Sequence, residues 1–326
     1  MKALVLYPRY GLANRLRTIA SAKILADLTG RKLFVNWIRY GQCNITWEGL
    51  FMNHIDRYPL PMTSFTKGVT LYDDYKAVSR FYWDMPQSLI ANTSDVVAVR
   101  SCCNFQAREM SHETYIALKS LFYRSLQPLD SIQQTVNDIY RRYFEGNEVV
   151  GVHIRRTNHL HYKRKDPCLV SPTALFVKSM EKILNRHPDT KFFLATDDRD
   201  EERTMREQFG INVIVYEKEN INRDTEKGMR DALVDWLLLS KTSRIIGSST
   251  SSFSEEAAVV NMIEREPVVK EDELSKTHYR MLFQAHFTPY YRILRDEGLR
   301  NFLAYSYKYR KGQVLSWFRR KFLNAK

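Results

Sequence analysis

The feature that most limits the possible folds of this chain is the regular alternation of short apolar runs and helical patterns in its second half. The apolar runs lie at 149–154, 191–195, 212–216 and 244–247. Helical patterns follow them at 172–187, at 200–209, around 233–240 and at 253–263. Strands that alternate with helices form a parallel sheet with helices on its faces, so this half predicts a doubly wound α/β domain.

The first residues predict a second unit of the same kind. An apolar strand at 2–7 leads through a turn at 8–11 into a helix at 12–28, which ends before Gly30, and a strand follows at 32–37. This β-α-β order predicts parallel strands and a right-handed crossover. Residues 41–101 show no clean period, and 113–143 predict a helical stretch. Residues 145–148 are the predicted hinge between domains.

With 326 residues, the chain is long enough for two domains of ordinary size. We expect an N-terminal α/β lobe at 1–146 and a Rossmann-like lobe at 147–295. A basic helical tail is expected at 296–326. Within it, 308–326 mixes apolar and basic residues, which is typical of a membrane-surface helix or of a helix that packs back across the lobes.

The chain carries a formal net charge of +13, from 50 Lys and Arg against 37 Asp and Glu. Such an excess indicates nucleic acid, an anionic membrane or an anionic small substrate as partner, and no nucleic-acid-binding motif is present. The four cysteines show no metal-ligand spacing, and Cys102 and Cys103 are adjacent. We therefore expect a cytoplasmic protein, with peripheral membrane association as the alternative that 308–326 leaves open.

Polar residues follow three of the four strands predicted in the second half. Arg155 and Arg156 follow the first strand, Asp197 and Asp198 the second, and the serine-rich stretch 248–252 the last. Ligands of an open parallel sheet bind outside the carboxyl ends of its strands, so these groups are expected to share one ligand. Two guanidiniums suit a diphosphate, carboxylates suit a ribose or a guanine edge, and a serine-rich helix start suits a phosphate.

Each of these groups also has a structural interpretation. The arginine pair can be a solvated face, the two aspartates can cap the next helix, and 252–255 reads as a capping box. Asn14 and Arg15 lie at another helix start, where they either face the same anion or only begin a basic helix. The sequence contains neither a P-loop motif nor the glycine pattern of dinucleotide-binding folds.

Three segments in order resemble the inverting fucosyltransferases of the α1,6- and protein O-fucosyltransferase group, which includes the nodulation fucosyltransferase. The motif around Arg155 runs from His153 to Asn158, 195–198 reads Ala-Thr-Asp-Asp, and Asp235 opens a stretch that leads to the serines at 248–254. The resemblance covers about 149–258. Asn158 departs from it, because the family has an aspartate there.

This resemblance implies a GT-B-like fold, two Rossmann-type lobes with the donor in the cleft between them. In this arrangement the lobe at 1–146 would provide the acceptor side, and the lobe at 147–295 would bind the nucleotide sugar. It also implies a GDP-sugar donor, GDP-fucose in particular, a glycan hydroxyl as acceptor, and neither metal nor cofactor. Arg155 would stabilise charge on the β-phosphate, and Asp166 is the candidate general base, with His159 and His161 nearby. The predicted donor-binding residues are His153, Arg155, Arg156, Asn158, Asp197, Asp198, Asp235, Ser249, Ser251 and Ser252, together with Asn14 and Arg15.

Two functions of other classes stay open on the sequence alone. A nucleotide- or glycan-binding protein without catalysis is compatible with Asn158 in place of the acid. A basic nucleic-acid-binding protein is compatible with the charge and with an aromatic content of 13%.

Overall fold

The computed structural model describes residues 2–59, 70–73, 90–107, 110–156, 171–218, 220–249 and 251–270. Met1–Lys270 belong to one compact unit of the chain. The predicted tail at 296–326, including 308–326, lies outside the described residues, and so does the predicted boundary at 295. No helix in the described ranges is long and apolar enough to cross a membrane.

The N-terminal lobe contains a parallel sheet with the strand order β2-β1-β4-β3. Its strands are β1 (Ala3–Pro8), β2 (Lys32–Val35), β3 (Thr70–Asp73) and β4 (Val96–Ser101), and helix α1 (Leu12–Leu28) joins the first two. The predicted β-α-β unit is confirmed. The strands β3 and β4 lie in the stretch 41–101, which shows no clean period. Gly30, with φ of 61°, follows α1 in the left-handed conformation that favours glycine.

Two helices and one π-helical turn replace the single helical stretch predicted at 113–143. They are α2 (His112–Ser125), α3 (Asp130–Ile139) and the π-helical turn Tyr140–Phe144. The Ser111 side chain caps α2 by accepting a hydrogen bond from the Thr114 amide. The helix stops at Leu126, which is extended, because the following Pro128 cannot continue it. The predicted helical stretch is therefore confirmed, with an interruption at 126–129.

The C-terminal lobe is a five-stranded parallel sheet with the order β7-β6-β5-β8-β9 and helices between the strands. The strands are β5 (Val149–Ile154), β6 (Lys191–Thr196), β7 (Val213–Val215), β8 (Arg244–Ser248) and β9 (Glu264–Val268). The helices are α4 (Thr173–Leu184), α5 (Arg199–Phe209), α6 (Glu226–Ser240) and α7 (Ser252–Val260). This arrangement confirms the doubly wound α/β fold. The sheet also contains a strand that was not predicted, β9, which begins directly after the stretch 253–263 that was predicted as a helix.

Two predicted helix starts were wrong. Pro172 is the N-cap of α4 rather than its first residue, and Ser171 does not cap the helix, since its hydroxyl donates to the Val268 carbonyl at 2.6 Å. At α7 the N-cap is Ser251, whose side chain makes no capping hydrogen bond, so the capping box predicted at 252–255 does not form.

The two sheets lie on either side of the predicted boundary at 146/147, and the largest apolar cluster contains buried residues of both lobes, while each lobe also has a separate cluster of its own. Tyr123 of α2 packs edge-on against Trp236 of α6, with ring centroids 5.5 Å apart. A buried ion pair accompanies this contact, because Lys119 of α2 lies 2.6 Å from a carboxylate oxygen of Glu256 in α7. These contacts fix the two lobes against each other.

Candidate functional site

Three neighbouring strands of the C-terminal sheet end at the same edge. Ile154 of β5 is in register with Thr196 of β6, and His153 is in register with Gly247 of β8. The residues that follow these strands therefore meet, as the sequence predicted from its strand ends. The α7 helix begins at this edge, where its first amides carry positive partial charge.

The Arg155 side chain stays partly accessible at this edge. Its amide donates to the Ser248 hydroxyl at 2.9 Å, and its Nε lies 3.4 Å from Asp197 Oδ2. The side chain is 22% exposed. The guanidinium is thus oriented by one carboxylate and still open to a ligand.

Arg156 points the other way, into the packing of α4 and α5. Its Nε donates to Glu201 Oε1 at 2.6 Å, and its terminal nitrogens donate to the Ser171 carbonyl and to Thr173 Oγ1, each at 3.1 Å. The side chain is 5% exposed. Protein groups therefore occupy the guanidinium that the sequence assigned to the diphosphate, and Arg156 positions the strand end instead.

The two adjacent aspartates also differ in what they contact. Asp197 accepts the Arg156 amide at 2.8 Å and faces Arg155, so it belongs to the edge. Asp198 caps α5, because its Oδ1 accepts the amides of Asp200 at 2.9 Å and Glu201 at 3.0 Å. The capping interpretation thus describes Asp198 and not Asp197.

The serines after β8 form the third side of the edge. The Ser249 amide donates to the Ser171 hydroxyl at 3.0 Å, and the Ser251 amide donates to the Ser248 carbonyl at 3.4 Å. Ser252 is the first residue of α7. These bonds fix the turn that leads into α7 beside Arg155.

His153 lies beneath the edge rather than in it. The side chain is buried and its ring stacks on Phe253, with centroids 5.1 Å apart. Burial lowers the pKa of His153 to about 3, although the Asp197 carboxylate works in the opposite direction. The imidazole is therefore neutral at physiological pH, which suits a supporting role.

Asp235 lies on α6 with a lysine that the sequence did not reveal. Lys218 Nζ is 2.8 Å from Asp235 Oδ2, and both side chains are almost fully buried. Burial raises the pKa of Asp235 to about 6, against the effect of Lys218. Its other oxygen, Oδ1, accepts no hydrogen bond from the described residues. Lys218 also donates to the Thr196 carbonyl at 3.4 Å, which connects the pair to the end of β6.

The two predicted residues of the N-terminal lobe lie at the start of α1. Arg15 is fully buried, and its guanidinium packs on the rings of Trp37 at 4.6 Å and Tyr40 at 4.8 Å. Its Nε donates a hydrogen bond to the Tyr10 carbonyl at 2.8 Å. Tyr10 has a φ of 63°, which is uncommon for a residue other than glycine, and this hydrogen bond helps to hold it there. Asn14 is half-buried, and its carbonyl accepts the Thr18 hydroxyl at 2.6 Å. Arg15 therefore stabilises the turn between β1 and α1.

One arginine at this place, Arg223, was not predicted. It lies in the loop before α6, and its carbonyl accepts the Asn44 amide of the other lobe at 3.2 Å. Burial and, to a smaller extent, the charge of Arg155 lower the pKa of Arg223 to about 10, although Asp197 works in the opposite direction. The sequence around it has no periodic pattern that would have indicated the position.

Asn158 and Asp166 lie outside the described residues, together with His159 and His161. Among the described residues, no three His, Cys, Asp or Glu side chains are grouped as metal ligands would be.

A family model described as nodulation protein Z (NodZ) matches residues 90–272, more than half of the chain and all strands of the C-terminal sheet. No curated protein matches the sequence.

Solved structures of three fucosyltransferases share the fold. A NodZ α-1,6-fucosyltransferase soaked with GDP-fucose is 20% identical, with a TM-score of 0.57 over 80% of this chain and 93% of its own. A mutant of Arabidopsis thaliana FUT1 in complex with GDP is 16% identical, with a TM-score of 0.57 over 83% and 72%. POFUT1 in complex with GDP is 13% identical, with a TM-score of 0.53 over 82% and 98%. The GT-B-like fold expected from the sequence is confirmed.

Proposed function

Since the chain belongs to the NodZ family, we propose that it is a glycosyltransferase that moves L-fucose from GDP-fucose to a hydroxyl group of a glycan. The observation that carries this proposal is the position of Arg155, a partly exposed guanidinium at the carboxyl edge of the parallel sheet and within the matched stretch 90–272. Solved structures with this fold were soaked with GDP-fucose or solved with GDP, which supports a guanosine diphosphate sugar as donor.

We assign Arg155 to the donor's β-phosphate, because a guanidinium donates two parallel hydrogen bonds to phosphate oxygens. Asp197 orients the guanidinium from one side. The first amides of α7, around Ser251 and Ser252, add positive partial charge near the same phosphate. Asp235 suits an N–H or hydroxyl group of the nucleoside, since its Oδ1 accepts from no described residue.

In the transfer, the bond between C1 of fucose and the β-phosphate oxygen breaks, and its electron pair leaves with the phosphate. The acceptor oxygen bonds to C1 from the opposite face, which inverts the configuration, and its proton passes to a base. The sugar passes through an oxocarbenium-like state. Arg155 stabilises the charge that builds on the phosphate, and one such preorganised donor is worth roughly 3 kcal/mol. We therefore propose a reaction without a metal ion, with Asp166 as candidate base.

The test compares Arg155→Ala with Arg203→Ala by the release of GDP from GDP-fucose in the presence of oligosaccharide acceptors. Arg203 is an exposed arginine of α5 in the same lobe, so its variant controls for the loss of one positive charge. We expect Arg155→Ala to lower kcat by about a hundredfold and Arg203→Ala to leave it unchanged.

Near-wild-type turnover in Arg155→Ala would refute the assignment. Binding of GDP without any turnover by the wild-type protein would instead indicate a non-catalytic nucleotide-binding protein. Activity that EDTA abolishes and Mg²⁺ restores would refute the metal-free reaction.

A further inference from the structure

Two cysteines that the proposed function does not use lie side by side directly after β4. Cys102 and Cys103 follow Ser101, the last residue of the strand, and their Sγ atoms are 3.3 Å apart. Neither cysteine is in a disulfide bond. A disulfide has an S–S distance of about 2.0 Å, so the two sulfurs need to approach each other by only about 1.3 Å to form one.

The backbone that carries the two cysteines is held at several points. The Ser101 carbonyl accepts the Arg9 amide at 2.9 Å, and the Cys102 carbonyl accepts a hydrogen bond from Arg17 Nε of α1 at 2.7 Å. The Cys103 amide donates to the Ser101 hydroxyl at 3.0 Å. These bonds keep the two thiols beside each other in the folded protein.

The two thiols differ in their access to solvent. Cys102 is half-buried, whereas Cys103 is only 4% exposed. A reagent from solution therefore reaches Cys102 first, and Cys103 lies in contact with the sulfur that has reacted. A second thiol in this position resolves the first product without any diffusion step, which is how reactive cysteine pairs work.

We propose that Cys102 and Cys103 form a modification site at which small-molecule disulfides oxidise the two thiols to one disulfide bond. The Cys102 thiolate attacks one sulfur of the small disulfide, whose S–S bond breaks, and the released thiolate takes up a proton. Cys103 then attacks Cys102 Sγ in the mixed disulfide and releases the second small thiol. The cysteine pair loses two electrons and two protons, and the small disulfide gains both.

The oxidised pair should be easy to reduce again. Consecutive Cα atoms lie about 3.8 Å apart, which is less than the roughly 4.4–6.8 Å that is usual between cysteines joined by a disulfide. A bond between neighbours is therefore strained, and strained disulfides are the ones that thiols reduce most readily. The modification is thus reversible, and it is independent of the proposed function.

The test treats the full chain with dipyridyl disulfide, which releases one light-absorbing thiopyridone at each attack. Every protein carries Cys168→Ser, because Cys168 lies outside the described residues. We expect this parent protein to release two thiopyridones per chain, to lose the mass of two hydrogen atoms and to retain no pyridyl group. Dithiothreitol should restore both thiols. Cys103→Ser should release one thiopyridone and retain the pyridyl group on Cys102, and Cys43→Ser, which removes a fully buried thiol, should behave as the parent.

The parent protein decides the matter even if Cys103→Ser fails to fold. Mass spectrometry of its peptides shows whether the peptide that contains both cysteines lacks two hydrogen atoms, as we expect. A parent protein that keeps the pyridyl group on Cys102, or in which neither cysteine reacts before the protein unfolds, would refute the inference. Release of two thiopyridones by folded Cys103→Ser would also overturn it, because the second attack would then come from another residue.

Discussion

The buried ion pair between the lobes gives the sharpest prediction about stability. Lys119 Nζ and Glu256 Oε2 are 2.6 Å apart, and their side chains are 1% and 2% exposed. Tyr123 donates a hydrogen bond to the same carboxylate oxygen at 2.6 Å, and Asn104 Oδ1 accepts from Lys119 at 2.8 Å. Burial alone would raise the pKa of Glu256, but the charges of Lys119 and Arg17 outweigh it and lower this pKa. The carboxylate is therefore ionised at neutral pH.

The expected cost follows from this geometry. At an effective dielectric constant of about 20, unit charges 2.6 Å apart attract by about 6 kcal/mol, which offsets the loss of hydration. Removing one partner leaves a buried charge without compensation and costs roughly 3–5 kcal/mol. We expect Lys119→Met at the lower end, because Tyr123 still donates to Glu256. For a chain of 326 residues, 3–5 kcal/mol lowers the melting temperature by about 4–7 °C.

The assay is equilibrium unfolding in urea together with thermal melting of Lys119→Met, Glu256→Gln and the double variant. The control is Lys23→Met, which removes the exposed pair with Asp27 on α1 and should cost less than about 0.5 kcal/mol. The double variant should cost clearly less than the sum of the single ones. The reasoning is refuted if each single variant costs no more than Lys23→Met, or if the two costs add.

The remaining predictions concern Asp235 and Arg156. The pKa of Asp235 is raised from 3.8 to about 6, so the folded state binds its proton more tightly than the unfolded state. The contribution of Asp235 to the free energy of unfolding should therefore fall as the pH rises from about 4 to about 6. The urea concentration at the unfolding midpoint should decrease over this pH range in the wild-type protein, and Asp235→Asn should lack this part of the decrease. Arg156→Met should leave Glu201 without its charged partner, although the Thr173 hydroxyl still donates to it at 2.7 Å, and should cost about 2–4 kcal/mol in urea unfolding, with GDP affinity changed less than in Arg155→Ala. A loss of GDP affinity equal to that of Arg155→Ala at unchanged stability would contradict this.

The C-terminal sheet was predictable because its central strands are buried on both faces. Such strands read as continuous apolar runs, as β5 and β6 do, and the helices between them keep their own period. The strand β9 was not predictable, since its sequence Glu-Arg-Glu-Pro-Val is mostly exposed and pairs only with β8 among the described strands. The strand β4 is apolar, but no helical pattern precedes it, so alternation did not identify it.

The part of the site that was predictable consists of the residues that directly follow the strands of the C-terminal sheet. The rule that parallel strands end at one edge placed Arg155, Asp197 and the serines after β8 together. The pairing of Lys218 with Asp235 depends on the distance between two elements, which a single sequence does not contain. Arg223 comes from a loop without a period, and its position depends on contacts with Asn44 in the other lobe.

The different positions of Arg155 and Arg156 follow from the geometry of the strand that precedes them. Successive side chains along an extended backbone point to opposite faces, and Arg155 and Arg156, directly after β5, also point in different directions. Arg156 turns to the face covered by α4 and α5, where Glu201 and Thr173 bind its guanidinium. It thereby fixes the backbone whose amide is held by Asp197, and Asp197 orients Arg155.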